Sequence, residues 1–97
     1  MRLHVKFQTG DMQVDETVSG ADAEAVVAAM QRRAAQEAGF LIGAAIRAMP
    51  PLKFAQEVTR RYNAALKDNL PIPTSCEQFI ENGVDRGFAT ILDDTTA

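Results

Sequence analysis

The sequence predicts an α+β fold with an N-terminal β-hairpin, three or four helices, and a short C-terminal strand that joins the hairpin sheet. Residues 1–19 alternate between polar and apolar side chains, as half-buried strands do. The middle of the chain repeats apolar residues every three or four positions, which is typical of amphipathic helices. An apolar run at 88–92 suits a third strand, because an isolated hairpin is only marginally stable in water. We therefore expect one domain over 1–92 and a disordered tail at 93–97.

The hairpin prediction depends on Gly10-Asp11, a two-residue turn with glycine first, as type II′ turns prefer. The turn fixes a register with these cross-strand pairs: Thr9–Met12, Phe7–Val14, Val5–Glu16, Leu3–Val18, Lys6–Asp15 and His4–Thr17. Apolar residues then face apolar ones and a cation faces an anion, as cross-strand pairing favours. Glu16 is the exception, a carboxylate on the apolar face. We expect it at a sheet edge, where an inward charge discourages aggregation.

The first helix is expected to follow Ser19, an N-cap residue with Asp22 three positions on, close to a capping box. Gly39 is a suitable residue for ending this helix. The apolar stripe nevertheless continues in register as far as Met49, so two versions stay open, a break at Gly39 or one helix to about residue 48. In either version a strip of small residues lets another helix approach closely: Ala35, Gly39 and Gly43.

Pro50-Pro51 sets the next boundary, because proline disfavours helix for the residue before it and fits the first turn of a new helix. An amphipathic helix is expected from there to about Lys67. A connector over 68–73 follows, and its prolines favour an extended chain.

Ser75 with Gln78 gives a second capping-box signal, which predicts a fourth helix. Gly87 is expected to end that helix. The strand at 88–92 then completes the chain's regular structure.

Charge is sorted by position along the chain. The balance is −3 over residues 1–31, +5 over 32–67 and −5 over 68–97, which together give the net charge of −3. Segregation of this kind bears on partners and association and says little about fold.

Charged side chains of the basic and acidic blocks are the candidate interaction residues: Arg47, Lys53, Arg60, Arg61, Lys67, Glu77, Glu81 and Asp85. Bases seven residues apart align along one helix face, and acids four apart share a face of the next helix. We therefore expect a non-catalytic protein–protein interaction module or small subunit, able to form a homodimer by matching the basic helix against the acidic one. A solvated outer surface is the plainer interpretation of both faces.

Nucleic-acid binding is the first alternative, since the basic face of the third helix suits phosphate contacts. The overall acidity, with a pI near 5.0, disfavours it, as do the acids of the following helix, which would repel a phosphate backbone. The chain also has one Tyr and no Trp for stacking on bases.

Cys76 supports a second alternative, a thiol-dependent redox or nucleophilic role, because a helix N-terminus lowers the pKa of a thiol. Its place on an apolar stripe and the adjacent Glu77 instead favour a structural cysteine with a raised pKa. His4, the only histidine, is expected on the exposed face of its strand. No spacing suggests a metal site, so we expect no enzyme activity, no metal and no cofactor.

The composition predicts a soluble, cytoplasmic protein. Hydrophobic residues at 46% and charged residues at 24% are ordinary for a globular domain. A single cysteine cannot form an internal disulfide, which suits a reducing compartment. The most apolar window, 38–46, is far shorter than the roughly 20 residues that span a bilayer, so we expect no membrane partner.

Overall fold

A computed structural model describes residues 1–9 and 12–93 and confirms the expected α+β fold. Its elements are β1 (Arg2–Thr9), β2 (Met12–Ser19), α1 (Ala23–Glu37), α2 (Phe40–Arg47), α3 (Pro51–Leu66), α4 (Cys76–Asp85) and β3 (Ala89–Asp93). The strands form an antiparallel sheet in the order β2-β1-β3. Helices α1 and α4 pack against the sheet, and α3 packs against both of them.

The hairpin has the predicted register, with Lys6 opposite Asp15 and Leu3 opposite Val18. The Gly10-Asp11 turn lies outside the described residues. Leu3 is fully buried beneath the helices while Lys6 is exposed to solvent. One face of the hairpin therefore meets the core and the other meets water, as the alternating pattern requires.

Glu16 lies on β2, an edge strand, as predicted. Its carboxylate also has a partner that the sequence did not indicate. Nε of Arg33, on α1, lies 2.8 Å from Oε1 of Glu16, and both side chains keep substantial contact with water. The inward-facing charge is thus compensated without full desolvation.

The C-terminal strand joins β1, which confirms the predicted third strand. The N–H of Lys6 donates to the carbonyl of Phe88 at 2.7 Å, just before β3 begins. Ala89 lies opposite Val5 and is buried. β3 includes Asp93, and residues 94–97 of the expected tail lie outside the described part of the chain.

The predicted N-cap of α1 is wrong. Ser19 is the last residue of β2, and the N–H of Gly20 continues the sheet-like pairing by donating to the carbonyl of Met1 at 3.1 Å. Asp22 caps the helix instead, because its carboxylate accepts a hydrogen bond from the N–H of Ala25 at 2.9 Å. Strand pairing therefore delays the start of the helix by three residues relative to a cap at Ser19.

The chain breaks at Gly39, one of the two versions that the pattern left open. Gly39 has a φ of 86°, in the left-handed region that glycine adopts without strain. Beyond it, α2 folds back along α1. A Cβ at Gly43 would lie 2.5 Å from the carbonyl oxygen of Ala35, so only glycine permits this approach. The strip of small residues is therefore used inside the chain, between α1 and α2.

Gln31 fastens the other end of α2 to α1. Its side chain is buried, and its Nε2 donates to the carbonyls of Ile46 and Met49 at 2.6 and 2.7 Å. The last turn of a helix leaves carbonyls without partners inside the helix. Gln31 gives the Met49 carbonyl its described donor and adds a second donor to the Ile46 carbonyl, which also accepts from the N–H of Met49 at 3.2 Å. These bonds fix the position of α2 on α1.

The fourth helix has the predicted signals at both ends. Ser75 is the N-cap, and its hydroxyl accepts from the N–H of Gln78 at 3.1 Å. The side-chain oxygen of Gln78 accepts hydrogen bonds from the backbone N–H and the hydroxyl of Thr74. In a standard capping box the donor would be the N–H of the N-cap residue itself, one residue later. Gly87 follows the helix with a φ of 81°. The capping chemistry read from the sequence is therefore confirmed at α4.

The connector over 68–73 has no regular secondary structure and is held by amide side chains of α3 and α4. Its carbonyls accept hydrogen bonds in three pairs: Asn63 to Leu70, Gln56 to Pro73 and Asn82 to Pro71. These bonds fix the path between the two helices.

The hydrophobic core lies between the sheet and helices α1, α3 and α4. It contains these buried residues: Leu3, Ala23, Val26, Val27, Phe54, Ala55, Cys76, Ile80 and Ala89. α2 adds none of them, and its Ile46 only packs against the edge. α2 therefore lies outside the core, on the flank of α1.

Candidate interaction surface

The first turn of α2 exposes three consecutive large apolar side chains. Phe40 is 86% exposed, Leu41 80% and Ile42 63%. Gly43 is the only buried residue of this helix. Because an eight-residue helix with one buried position gains little from packing on its own chain, this exposure calls for an explanation beyond stability.

A helix advances 100° per residue, so Leu41, Ala44 and Ala48 fall on one stripe, with Phe40 and Ala45 on either side. All five are exposed, and we call them the outer face of α2. Together with Ile42, the large side chains expose on the order of 400 Å² of apolar surface, within the range of the largest patches on monomeric proteins. Patches of this size are often functional.

The basic candidates are exposed, and most have no ion-pair partner. Arg60 pairs with Glu57 on its own helix, as neighbours three residues apart do. Within the described residues, the other basic candidates make no ion pair: Arg47, Lys53, Arg61 and Lys67.

The acidic candidates Glu77, Glu81 and Asp85 are exposed on α4. Although α3 and α4 pack together, no ion pair joins these acids to the basic candidates in the part of the chain that the structure describes. The opposed charges of the two helices are thus not neutralised by direct contact within the fold.

Tyr62, Asp68 and Arg86 form a polar cluster that the charge pattern did not predict. The hydroxyl of Tyr62 donates to Asp68 at 2.6 Å, and Nη2 of Arg86 lies 3.3 Å from the same carboxylate. The hydrogen bond from Tyr62 lowers the pKa of Asp68 and raises the pKa of Tyr62. The Tyr62 ring also packs edge-on against Phe88 with centroids 5.3 Å apart, so the cluster ties α3 to the approach to β3.

Cys76 lies in a cavity of about 330 Å³ where the N-termini of α1, α3 and α4 meet. Cys76 is 7% exposed. Burial raises its pKa, and the charges of Glu24, Glu77 and Asp22 raise it further. The environment therefore keeps the sulfur protonated at neutral pH, which favours a structural cysteine.

His4 lies on the opposite side of the sheet from the helical layer. Its Nε2 donates to the carboxylate of Asp15 at 2.6 Å, and this hydrogen bond lowers the pKa of Asp15. Lys6, the cross-strand neighbour of Asp15, contributes a weaker favourable charge. His4 and Cys76 therefore occupy different faces of the sheet and form no catalytic pair.

Pattern reasoning missed the exposure of Phe40, Leu41 and Ile42. The sequence contained a signal for this exposure. α2 has apolar residues on all sides, yet it is too short to be the central helix of a core, so some of these residues must face water. What the sequence did not give was the direction in which α2 faces once the chain breaks at Gly39.

Among the described residues, no helix combines the length and apolar character needed to cross a bilayer, and no three metal-ligating side chains gather into a cluster. No protein-family model, curated protein or solved structure matches the chain.

Proposed function

We propose that this chain is a non-catalytic protein–protein interaction module of the cytoplasm, which binds its partner through the outer face of α2. The exposure of Phe40, Leu41 and Ile42 is the observation that carries the proposal. Aromatic and aliphatic side chains of this kind form the centres of protein interfaces, where they are desolvated on binding.

The energetics favour a reversible contact. Burying roughly 400 Å² at about 25 cal/mol per Å² yields on the order of 10 kcal/mol before costs. Lost translational and rotational freedom costs about 4–15 kcal/mol. The apolar patch alone therefore gives a weak complex, and flanking contacts must contribute to its affinity.

The charged faces of α3 and α4 supply the second part of the proposal. Bases that make no ion pair within the described residues, such as Lys53 and Arg61, and the acids of α4 steer a partner toward one orientation. Steering of this kind raises the association rate and weakens as salt shortens the Debye length to about 3 Å at 1 M. As the salt concentration rises, we expect the association rate to fall by a larger factor than the dissociation rate increases.

The test compares affinity capture by the wild-type chain, Leu41→Asp and Thr17→Asp. Thr17 is exposed on β2 opposite His4, so the control adds the same charge to the sheet face that lies away from the helices. We expect a partner that binds the wild type and Thr17→Asp, and binds Leu41→Asp at least about tenfold more weakly when repurified. Circular dichroism checks that the variants fold. Equal binding by all three baits would refute the proposed surface.

A second candidate function is nucleic-acid binding through the basic face of α3. Lys53, Arg61 and Lys67 favour it, because they are exposed and make no ion pair within the described residues. The test is fluorescence anisotropy with labelled single- and double-stranded oligonucleotides at low salt, with Arg61→Ala reducing the salt slope by about one. Absence of any binding at low salt would exclude this candidate.

A further inference from the structure

We infer that the partner of the α2 outer face is a second copy of this chain, docked as an antiparallel helix pair about a two-fold axis. The inference rests on the proposed function and names its partner. It is carried by three observations: the order of large and small side chains on the outer face, the position of Arg47 beside that face, and the area of the face.

The outer face is graded in size from one end to the other. Phe40 and Leu41 occupy the N-terminal end, and the exposed alanines Ala44, Ala45 and Ala48 occupy the rest. Helices pack by setting the ridges of one into the grooves of the other. A two-fold axis that reverses the helix direction places the large end of each copy over the small end of the other, with Leu41 of one copy over Ala48 of the other. A parallel pair would oppose the two Phe40 rings and leave a gap at the alanines.

Arg47 adds a polar contact that only the antiparallel arrangement makes. Seven residues span two turns less about 20°, so Phe40 and Arg47 lie on the same side of the outer face at opposite ends. An axis perpendicular to both helices preserves that side. In the single chain the guanidinium of Arg47 lies beside Gly43. On pairing, this long side chain extends to the exposed Phe40 ring of the other copy, a cation–π contact that is favourable within about 6 Å. Antiparallel helix dipoles also attract one another.

The area sets the expected strength. Phe40 and Leu41 of two copies contribute roughly 600 Å² of apolar surface, and the alanines with their surroundings extend this toward the low end of stable interfaces, about 1,200 Å². A different protein with a larger binding surface would not require the large end of the outer face to be complementary to its own small end. We therefore expect a dimer that dissociates on dilution, with a dissociation constant on the order of micromolar or weaker.

The experiment is sedimentation equilibrium on a size-exchange cycle of the wild type, Leu41→Ala, Ala48→Leu and the double variant. Leu41→Ala leaves a gap and Ala48→Leu opposes two leucines, so each alone weakens the dimer at least about fivefold. The double variant restores the large-over-small contact in reverse and returns the dissociation constant to within about threefold of wild type. Ala64→Leu, at an exposed alanine of α3, is the matched control and leaves dimerisation unchanged. Urea unfolding of each variant confirms that the fold is retained.

A second pair of variants tests the polar contact. Arg47→Glu weakens the dimer about tenfold, because Arg47 contacts the ring of the other copy directly. Arg61→Glu reverses a charge that acts only by long-range steering, so it changes the dissociation constant less than about twofold at moderate salt, where steering is screened. The reverse ranking would move the interface to the charged faces of α3 and α4 and overturn the inference.

The remaining outcomes separate the inference from the proposed function. A chain that stays monomeric at about 1 mM but binds another protein in a Leu41-dependent way retains the proposed function and rejects the second copy as partner. A dimer weakened by both single variants and not restored by the double variant rejects the antiparallel arrangement. If neither dimer nor Leu41-dependent binding occurs, both fail.

Discussion

Gln31 shows how much of this fold's arrangement one side chain controls. It is 6% exposed on α1, and both of its described hydrogen bonds go to carbonyls near the end of α2. α2 contributes no side chain to the buried core cluster, so core packing does not fix its position as strongly as these two hydrogen bonds do. The orientation of the outer face therefore depends on a buried amide and on the close approach at Gly43.

Replacing Gln31 by Met keeps the side-chain length and removes both donors. We expect a loss of about 1–3 kcal/mol in the free energy of unfolding, because the Met49 carbonyl loses its described donor and the Ile46 carbonyl keeps only its backbone donors. Urea unfolding followed by circular dichroism measures the change. Gln36→Met, at an exposed position of the same helix, is the control and should change stability by less than about 0.5 kcal/mol. Equal effects would show that the two hydrogen bonds do not hold α2.

Tyr62→Phe tests the polar cluster through its pH dependence. The lowered pKa of Asp68 means that its stabilising effect is complete above the ordinary aspartate pKa and is lost as the pH falls through the folded value. The raised pKa of Tyr62 means that its effect is complete below the ordinary tyrosine pKa and is lost as the pH rises through the folded value.

The Tm of Tyr62→Phe should accordingly lie below that of the wild type between about pH 4 and pH 10, and the two should converge at both extremes. Thermal unfolding across that range measures the difference. A difference that does not depend on pH would assign the effect to ring packing against Phe88 and not to the hydrogen bond.

At the scale of elements, two glycines in helices should respond to alanine with opposite signs. A Cβ at Gly43 would lie 2.5 Å from the backbone oxygen of Ala35, so Gly43→Ala must push α2 away from α1 and is expected to destabilise by about 1–3 kcal/mol. A Cβ at Gly83 would meet only the Cβ of Ala89, at an ordinary 3.5 Å. Gly83→Ala should therefore stabilise α4 by up to about 1 kcal/mol.

Urea midpoints of the two alanine variants check the pair. A gain in stability at Gly43 would mean that α1 and α2 adjust to the added methyl group without loss, and would contradict the tight contact.

Elements governed by local rules were predicted well. The hairpin register follows from period-two alternation and the turn position, and the α4 cap follows from Ser75 and Gln78, since each needs only neighbouring residues. The cap of α1 was wrong because a tertiary pairing, Gly20 with Met1, carried the extended chain past Ser19. Whether the helix breaks at Gly39 likewise depended on contacts between α1 and α2 that periodicity does not contain.

Across the whole molecule, the first and last described strands are neighbours in the sheet, so the fold closes only when both ends of the chain meet. Pairings this distant in sequence couple the sheet to the helical layer, because β3 also packs against α4. We therefore expect the domain to unfold as one cooperative unit.

Ala89→Leu tests that cooperativity. Ala89 is buried opposite Val5, and a larger side chain there overpacks the junction of sheet and helices, with an expected loss of about 1–3 kcal/mol. The next residue supplies the control, since Thr90 is exposed and Thr90→Leu should stay within about 0.5 kcal/mol of wild type. Fluorescence of Tyr62, the single tyrosine, and circular dichroism should report the same urea midpoint. Separate midpoints would contradict a single unfolding unit.

The charge pattern predicted which residues would be exposed but not how they would be paired. All eight candidates lie at the surface, as segregated charge suggests. Whether α3 and α4 neutralise each other depended on side-chain directions across a helix pair, which spacing along one helix does not specify. Which apolar residues of α2 are exposed depended on the rotation of that helix about its own axis where it packs against α1. The sequence thus predicted which residues form the charged and apolar helix faces, but it did not predict how those faces are oriented relative to one another.

The single thiol of the chain belongs to the first residue of α4, and Cys76 keeps only 7% of its surface exposed, on the wall of the cavity between the helix N-termini. A thiol reagent in that cavity meets little of the sulfur until the helical layer opens, so the modification rate in native buffer rises with the frequency of those openings. Rates from wild type, Gln31→Met and Ala89→Leu would reveal whether α2 loosens by itself or only together with the core. Cys76 is thus a natural probe for opening of the helical layer, and no cysteine has to be introduced for the measurement.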